Sequence, residues 1–195
     1  MRIIAGLHRG RRLVAPAGHA TRPTAERVRQ ALFDMLWHAP WSPYAQDRER
    51  FEDARVLDAF AGTGALGLEA LSRGAASATF LENDRAALAA LRANIATCRE
   101  EARCRVQASD ATKPPRAMAP CDLVFLDPPY KEGVMETALA ALSAAGWIAP
   151  GALVCAEYGV PPAAPPPGFT VLAERAHGPA LLLILQPGAP AGPAV

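Results

Sequence analysis

Lysine is almost missing from this 195-residue chain: only Lys113 and Lys131 occur, and arginine carries the rest of the positive charge. Long apolar runs are missing too. A membrane-spanning helix needs about 20 such residues, whereas "ALLLIL" near the carboxyl end is strand-sized. The opening "MRIIAGLHRGRRL" has no uninterrupted apolar core and no small-residue cleavage site, so a cytoplasmic location is expected rather than secretion. Cysteine is sparse, and Cys98, Cys104, Cys121 and Cys155 form no C-x-x-C pair. That spacing points to core or surface thiols, and no metal site is expected. No segment repeats. What is present is a chain that is 51% hydrophobic, enough for one globular core and too much for disorder.

The positive charge is unevenly placed. Residues 1–30 hold Arg2, Arg9, Arg11, Arg12, Arg22, Arg27 and Arg29 against the single acid Glu26, a balance of +6. The whole chain is only +1, so the remainder is −5. A GC-rich coding sequence accounts for arginine in place of lysine, but not for acids avoiding this segment. A solvated arginine surface is one reading; a nucleic-acid contact is the other, and the asymmetry favours it.

Residues 1–37 read as a basic hairpin, "RIIAGLHRGRRLVAP", followed by a helix, "TAERVRQALFDMLW", with Val28, Leu32, Met35 and Leu36 at helical spacing. Residues 38–54, polar and broken by prolines, read as a connector or surface insertion. From Arg55 to Gln186 the apolar runs "RVLDAF", "SATFLE", "CRVQAS", "CDLVFLD" and "ALVCAEY" alternate with "ALGLEALSRG", "RAALAALRANIATC" and "METALAALSAAG". Apolar strands alternating with helices predict an α/β fold, a parallel sheet covered on both faces. "PPAAPPPG" predicts an extended loop, and "FTVLAERAHGPALLLILQ" predicts two strands turning near Gly178. Residues 187–195 read as a frayed tail.

Two motifs carry chemistry. "VLDAFAGTGALGLEAL" places Gly62, Gly64 and Gly67 in G-x-G-x-x-G spacing between a strand and a helix, where bare backbone and free N–H groups can meet a ligand. Glu82 closes the next strand, 20 positions after Gly62, as an acid that could accept from ribose hydroxyls. Together they imply an adenosine-bearing cofactor, either a nicotinamide dinucleotide or S-adenosylmethionine. Asp58, at the end of the first strand, would repel a pyrophosphate but could hold an ammonium, which favours the latter; it could also simply cap loop N–H groups. Asp110 could accept from an adenine amine or cap its own loop.

The second motif is "DLVFLDPPY", an apolar strand ending in an acid, two prolines and a ring. Proline fixes φ near −65° and so fixes the local carbonyls. Asp127 and the carbonyl of Pro128 could accept both protons of an exocyclic base amine and turn its lone pair toward a methyl donor. Tyr130 offers a stacking face worth about 1–3 kcal/mol. The residues thus point to methyl transfer onto an amine.

At this point the sequence resembles the seven-strand, Rossmann-like S-adenosylmethionine-dependent methyltransferases. Through "RIIAG…RGR…RPT…RVR…LF" it is similar to the RsmD family, which methylates the N2 amine of a guanine in 16S rRNA. The resemblance implies that Asp58, Phe60, Ala61, Gly62 and Gly64 wrap the cofactor's amino-acid end, with Glu82 and Asn83 at the ribose and Asp110 at the adenine. It implies that Asp127, Pro128 and Tyr130 hold the guanine, that Arg22 and Thr24 lie at the site's mouth, and that Arg9, Arg11 and Arg12 grip RNA phosphates. It also implies action on a small-subunit precursor; a monomer is the default expectation, and the lack of a long apolar run argues against a membrane partner. The stretch 38–54 is longer than the usual connector. An adenine-N6 methyltransferase, a nicotinamide-dependent oxidoreductase and a non-catalytic assembly factor stand as rival readings.

Overall fold

The computed structural model describes residues 1–16, 23–47, 49–129, 132–178 and 180–188, with the backbone alone at 23–25 and 177. In chain order the elements are α1 (Pro23–His38), α2 (Pro43–Gln46), α3 (Glu49–Glu52), β1 (Arg55–Ala59), α4 (Ala65–Ser72), β2 (Ser77–Glu82) and α5 (Arg85–Cys98). They continue with β3 (Cys104–Ala108), β4 (Cys121–Leu126), α6 (Val134–Ala144), β5 (Ile148–Tyr158), β6 (Phe169–His177) and β7 (Ala180–Pro187). The seven strands form one sheet in the order β3-β2-β1-β4-β5-β7-β6. The first five are parallel, and β7 runs antiparallel between β5 and β6. The parallel part of this sheet is what the alternation of runs led us to expect, and the seven-strand, Rossmann-like whole is what the resemblance implied.

Strand alternation explains why the runs are apolar throughout. Val56, Phe80, Leu123, Phe125, Leu153 and Cys155 join a core under α1, α4 and α5. Their neighbours Leu57, Leu81, Val124, Leu126, Val154 and Ala156 face the opposite way, into a core with α6 and Trp147. In β1, β4 and β5 both faces are covered, so neither parity is polar except near a strand end, whereas the edge strand β3 admits Arg105 and Gln107. The order of strands reverses between β1 and β4. In such a sheet the crevice for ligands opens outside the carboxyl ends at that reversal.

The arm, residues 1–16, is hairpin-like with a minimal ladder. Arg2 and Arg12 form one antiparallel bridge, and the Gly10 amide donates to the Ile3 carbonyl at 2.9 Å. Its anchorage comes from α4. The Glu69 carboxylate, fully buried, accepts from the amides of Ile4 at 2.8 Å and Ala5 at 3.0 Å and from Arg73 Nε at 2.8 Å. Arg29 Nε stands 3.5 Å from the same carboxylate, an ion pair without a hydrogen bond. Ser72 adds three bonds: its hydroxyl donates to the Ala5 carbonyl at 2.5 Å and accepts from His8 N at 2.9 Å, and its carbonyl accepts from Leu7 N at 2.7 Å. The contact is so close that a Cβ on Gly6 would fall 1.8 Å from the Ser72 carbonyl oxygen. Asn94, buried on α5, bonds both the amide and the carbonyl of Val14 and donates also to the Thr63 carbonyl at 2.9 Å.

Residues 38–54, expected as a polar connector or surface insertion, are built into the core instead. Tyr44 and Phe51 are buried, and the Phe51 ring lies 4.4 Å from Trp37 and 5.1 Å from Tyr44. The polar residues between them face outward and hide this aromatic cluster from a composition-based reading. Residues 161–168 form no regular element, and the tail from 189 onward lies outside the described residues. Among the described residues, no helix is long and apolar enough to cross a membrane.

Candidate active site

Parallel strands bring their carboxyl ends to one edge, and alternation decides which face each terminal side chain takes. Asp58 shares parity with Val56, Glu82 with Phe80, and Asp127 with Phe125, so all three acids extend the same face. The charges of Asp127 and Glu82 both bear on Asp58. The glycine loop follows β1 and the Asp127-Pro128 corner follows β4, so the two flank the crevice at the strand-order reversal.

The glycine loop is shaped from both sides. The Leu81 carbonyl at the end of β2 accepts from the amides of Phe60 at 3.1 Å and Ala61 at 3.0 Å. Phe60 is held at φ 78°, a left-handed conformation rare outside glycine and retained only where its surroundings impose it. Gly62 and Gly67 have different jobs. A Cβ on Gly62 would meet nothing within 4 Å and would enter open space. A Cβ on Gly67 would meet the Phe80 ring at 2.4 Å, so Gly67 lets α4 lie close against the sheet.

Each acid already has work within the chain. Glu82 Oε2 accepts from Gly62 N at 2.7 Å, while Oε1 accepts from Asn83 N at 2.8 Å and Asp84 N at 2.7 Å. A carboxylate has about four acceptor positions, so three are filled and one remains for a hydroxyl. Asp58 Oδ2 accepts from Gly67 N at 2.9 Å, capping the first turn of α4. Its burial pushes the carboxyl up to about 7, against the opposing pull of that amide. Asp110 Oδ1 accepts from both the amide and the hydroxyl of Thr112 at 2.8 Å, and these bonds hold its carboxyl below the usual range. Asp127 keeps exposed surface, yet the protein around it disfavours its charge, and Glu157 adds repulsion; its carboxyl is raised. Pro128 is buried behind it.

An adenosine-bearing methyl donor fits this set. Gly62 opens on free space and donates to Glu82, Glu82 keeps one acceptor position, and Ser109, whose amide donates to the Glu82 carbonyl at 3.1 Å, has a buried hydroxyl with no partner among the described residues. Tyr130 and Arg22 lie outside the described residues, as does the side chain of Thr24. Arg9 and Arg12 are exposed. Arg11, expected with them on phosphate, instead turns its guanidinium onto the Thr97 carbonyl in the last turn of α5, where a cation suits the helix dipole. A hollow of about 310 Å³ between the arm and α1 is lined by Arg2, Arg9 and Arg27 together with Glu26, which pairs with Arg2.

Sequence reasoning passed over two acids. Glu69 reads as a solvent-facing residue of an amphipathic helix. Glu157 had a signal, since "CAEY" ends a strand on an acid much as "FLD" does.

Comparison with known proteins gives a consistent pattern. A family model described as "Conserved hypothetical protein 95" matches residues 1–186. Ribosomal RNA small subunit methyltransferase D of Escherichia coli K12 is 39% identical over 180 residues, spanning 91% of this chain and 85% of that protein. The Haemophilus influenzae protein of the same name is 39% identical over 183 residues, spanning 91% and 89%. The solved structure of E. coli yhhF superposes with a TM-score of 0.79 at 38% identity, over 97% of this chain and 98% of that one.

Proposed function

The chain belongs to the conserved hypothetical protein 95 family, the RsmD methyltransferases, and from that membership we propose that it moves a methyl group from S-adenosylmethionine to the N2 amine of a guanine in 16S rRNA. The observation that carries the proposal is the Asp127-Pro128 corner, set across the strand-order reversal from a glycine loop with an acid at each neighbouring strand end. The donor, when bound, supplies a methyl already activated by its sulfonium. The chain's own part is therefore alignment and exclusion of water.

In this reading Asp127 and the Pro128 carbonyl accept from the amine's two protons and aim its lone pair. Tyr130 stacks on the base. A carboxyl raised above its ordinary range is also suited to take up the proton that the methylated nitrogen sheds, since proton transfer is most effective when pKa and working pH approach one another. Asp58 favours a cationic amino-acid end over a pyrophosphate. Arg9 and Arg12 hold backbone phosphates, which position a substrate without selecting its sequence. The target base must leave its stack to reach the corner, and a small-subunit precursor with its proteins would present it in that form.

The test is to incubate the protein with tritiated S-adenosylmethionine and either small-subunit precursors or bare 16S rRNA, then digest and identify the labelled nucleoside. N2-methylguanosine, formed faster on the particle, is expected. N6-methyladenosine would refute the guanine reading, and equal rates on bare rRNA would refute the particle.

A further inference from the structure

Adenine also carries an exocyclic amine, and Asp127 with a carbonyl could accept from either base. The bases differ one ring atom away. Guanine N1 bears a proton beside the amine; adenine N1 bears a lone pair. A site that methylates only guanine needs an acceptor adjacent to Asp127.

The strand beside it provides one. β4 and β5 pair in parallel, with Phe125 opposite Cys155 and Leu126 opposite Ala156, so the next rung sets Asp127 beside Glu157. Phe125 and Cys155 share one core and Leu126 and Ala156 the other, which puts Asp127 and Glu157 on the same face. Glu157 is half-buried, and its backbone is fixed on the far side too, opposite Leu182 of β7. Adjacent strands lie about 4.8 Å apart. Hydrogen bonds of about 2.9 Å from the ring N1 and the exocyclic N2 of one base can bridge that span.

We propose that Glu157 selects guanine, its carboxylate accepting the N1–H of the base whose amine rests on Asp127. This rests on the amine-methylating function above. Two carboxyls brought this close at adjacent strand ends repel one another when both are charged. A base with two adjacent N–H donors relieves the repulsion; adenine would set its N1 lone pair against the carboxylate and worsen it. Burial is the main cause of the raised Asp127 carboxyl, and the Glu157 charge adds to it.

2-Aminopurine separates the roles, because it keeps the N2 amine and lacks the N1 proton. Small-subunit particles are reconstituted with guanine or 2-aminopurine at the methylated position, and kcat/KM is measured for wild type and Glu157→Gln. Wild type should prefer guanine by roughly 10- to 100-fold, the range expected for discrimination by specific base contacts. In Glu157→Gln the preference should fall toward parity, because an amide can turn to accept from N1–H or to donate to a bare N1. If wild type methylates both acceptors equally, or the variant slows both by the same factor and keeps the preference, Glu157 does not read the base and the inference fails while the enzyme's function stands. If wild type forms no N2-methylated base on either particle, both readings fall. The wild-type comparison needs no variant, so misfolding cannot shelter the idea.

Discussion

Removing the Glu69 carboxylate should detach the arm. This group is fully buried and accepts from two backbone amides of the arm and from Arg73, with Arg29 paired at 3.5 Å. In Glu69→Ala the amides of Ile4 and Ala5 lose their acceptor and two guanidiniums lose their counter-charge. Breaking a buried pair from one side costs about 3–5 kcal/mol. That is a large share of a domain's total stability of about 5–15 kcal/mol. The cheapest escape is local, since an arm that lets go lets water reach all these groups. At about 1.4 kcal/mol per decade, exchange of the Ile4, Ala5 and His8 amides should accelerate by roughly 100-fold or more, while Val124 and Phe125 in β4 change far less. RNA affinity should fall with the arm, and S-adenosylmethionine affinity should stay within a few-fold. Glu69→Gln, which keeps one acceptor oxygen, should lie between. Native hydrogen exchange and denaturant titration together read both effects. Retained protection at Ile4 and Ala5 with a loss below about 1 kcal/mol, the size of an ordinary surface substitution, would refute the reasoning.

The Asp58 carboxyl is near 7 in the folded chain against an ordinary 3.8, so between those values the native state holds a proton that the unfolded chain has released. Stability should therefore fall as pH rises from about 4 to 7, by an amount on the order of a few kcal/mol, and Asp58→Asn should flatten much of that decline; urea midpoints with equal pH slopes would contradict it. Gly67→Ala forces a Cβ to 2.4 Å from the Phe80 ring and should cost about 1–3 kcal/mol of stability; Gly62→Ala enters open space but holds alanine at φ 53°, which should cost about 1–2 kcal/mol, and it should weaken cofactor binding as well. Titration calorimetry in which Gly67→Ala weakened cofactor binding more than Gly62→Ala would overturn this division. Replacing Arg9 and Arg12 with alanine should lower the salt slope of RNA binding by about one to two, and Arg11→Ala should leave it unchanged. Equal slopes for all three positions would put Arg11 back on phosphate.

The sheet was readable because parallel strands covered on both faces must be apolar at every position, and "DLVFL" or "ALVCA" admit few other structures. The edge acids were readable because Asp127 and Glu82 interrupt such runs where a strand has to stop. Other features depend on partners far away in the chain. Glu69 bonds residues 64 and 65 positions distant, and nothing in "LGLEALS" marks it as buried. Arg11 looks like its neighbours Arg9 and Arg12 until the end of α5, 86 residues on, supplies a carbonyl. The aromatics Trp37, Tyr44 and Phe51 fall seven apart, a helical spacing, but Pro40 and Pro43 interrupt any single helix, so the three meet across α1, α2 and α3 rather than along one element.

These long-range bonds give the basic arm a fixed place relative to the chemistry. α4 begins at the glycine loop and ends at Ser72, so one short helix carries that loop at its amino end and the arm at its carboxyl end. Asn94 repeats the link from α5, bonding Val14 of the arm and Thr63 of the loop with one amide. A charged tail on a flexible tether would raise RNA affinity without constraining where a base falls. An arm tied twice to the loop can act as a spacer of set length: under the proposed function, phosphates held on Arg9 and Arg12 would lie at a fixed distance from Asp127. Selection would then have two stages, the spacer bringing one nucleotide to the corner and the acids at the strand ends accepting or rejecting its edge.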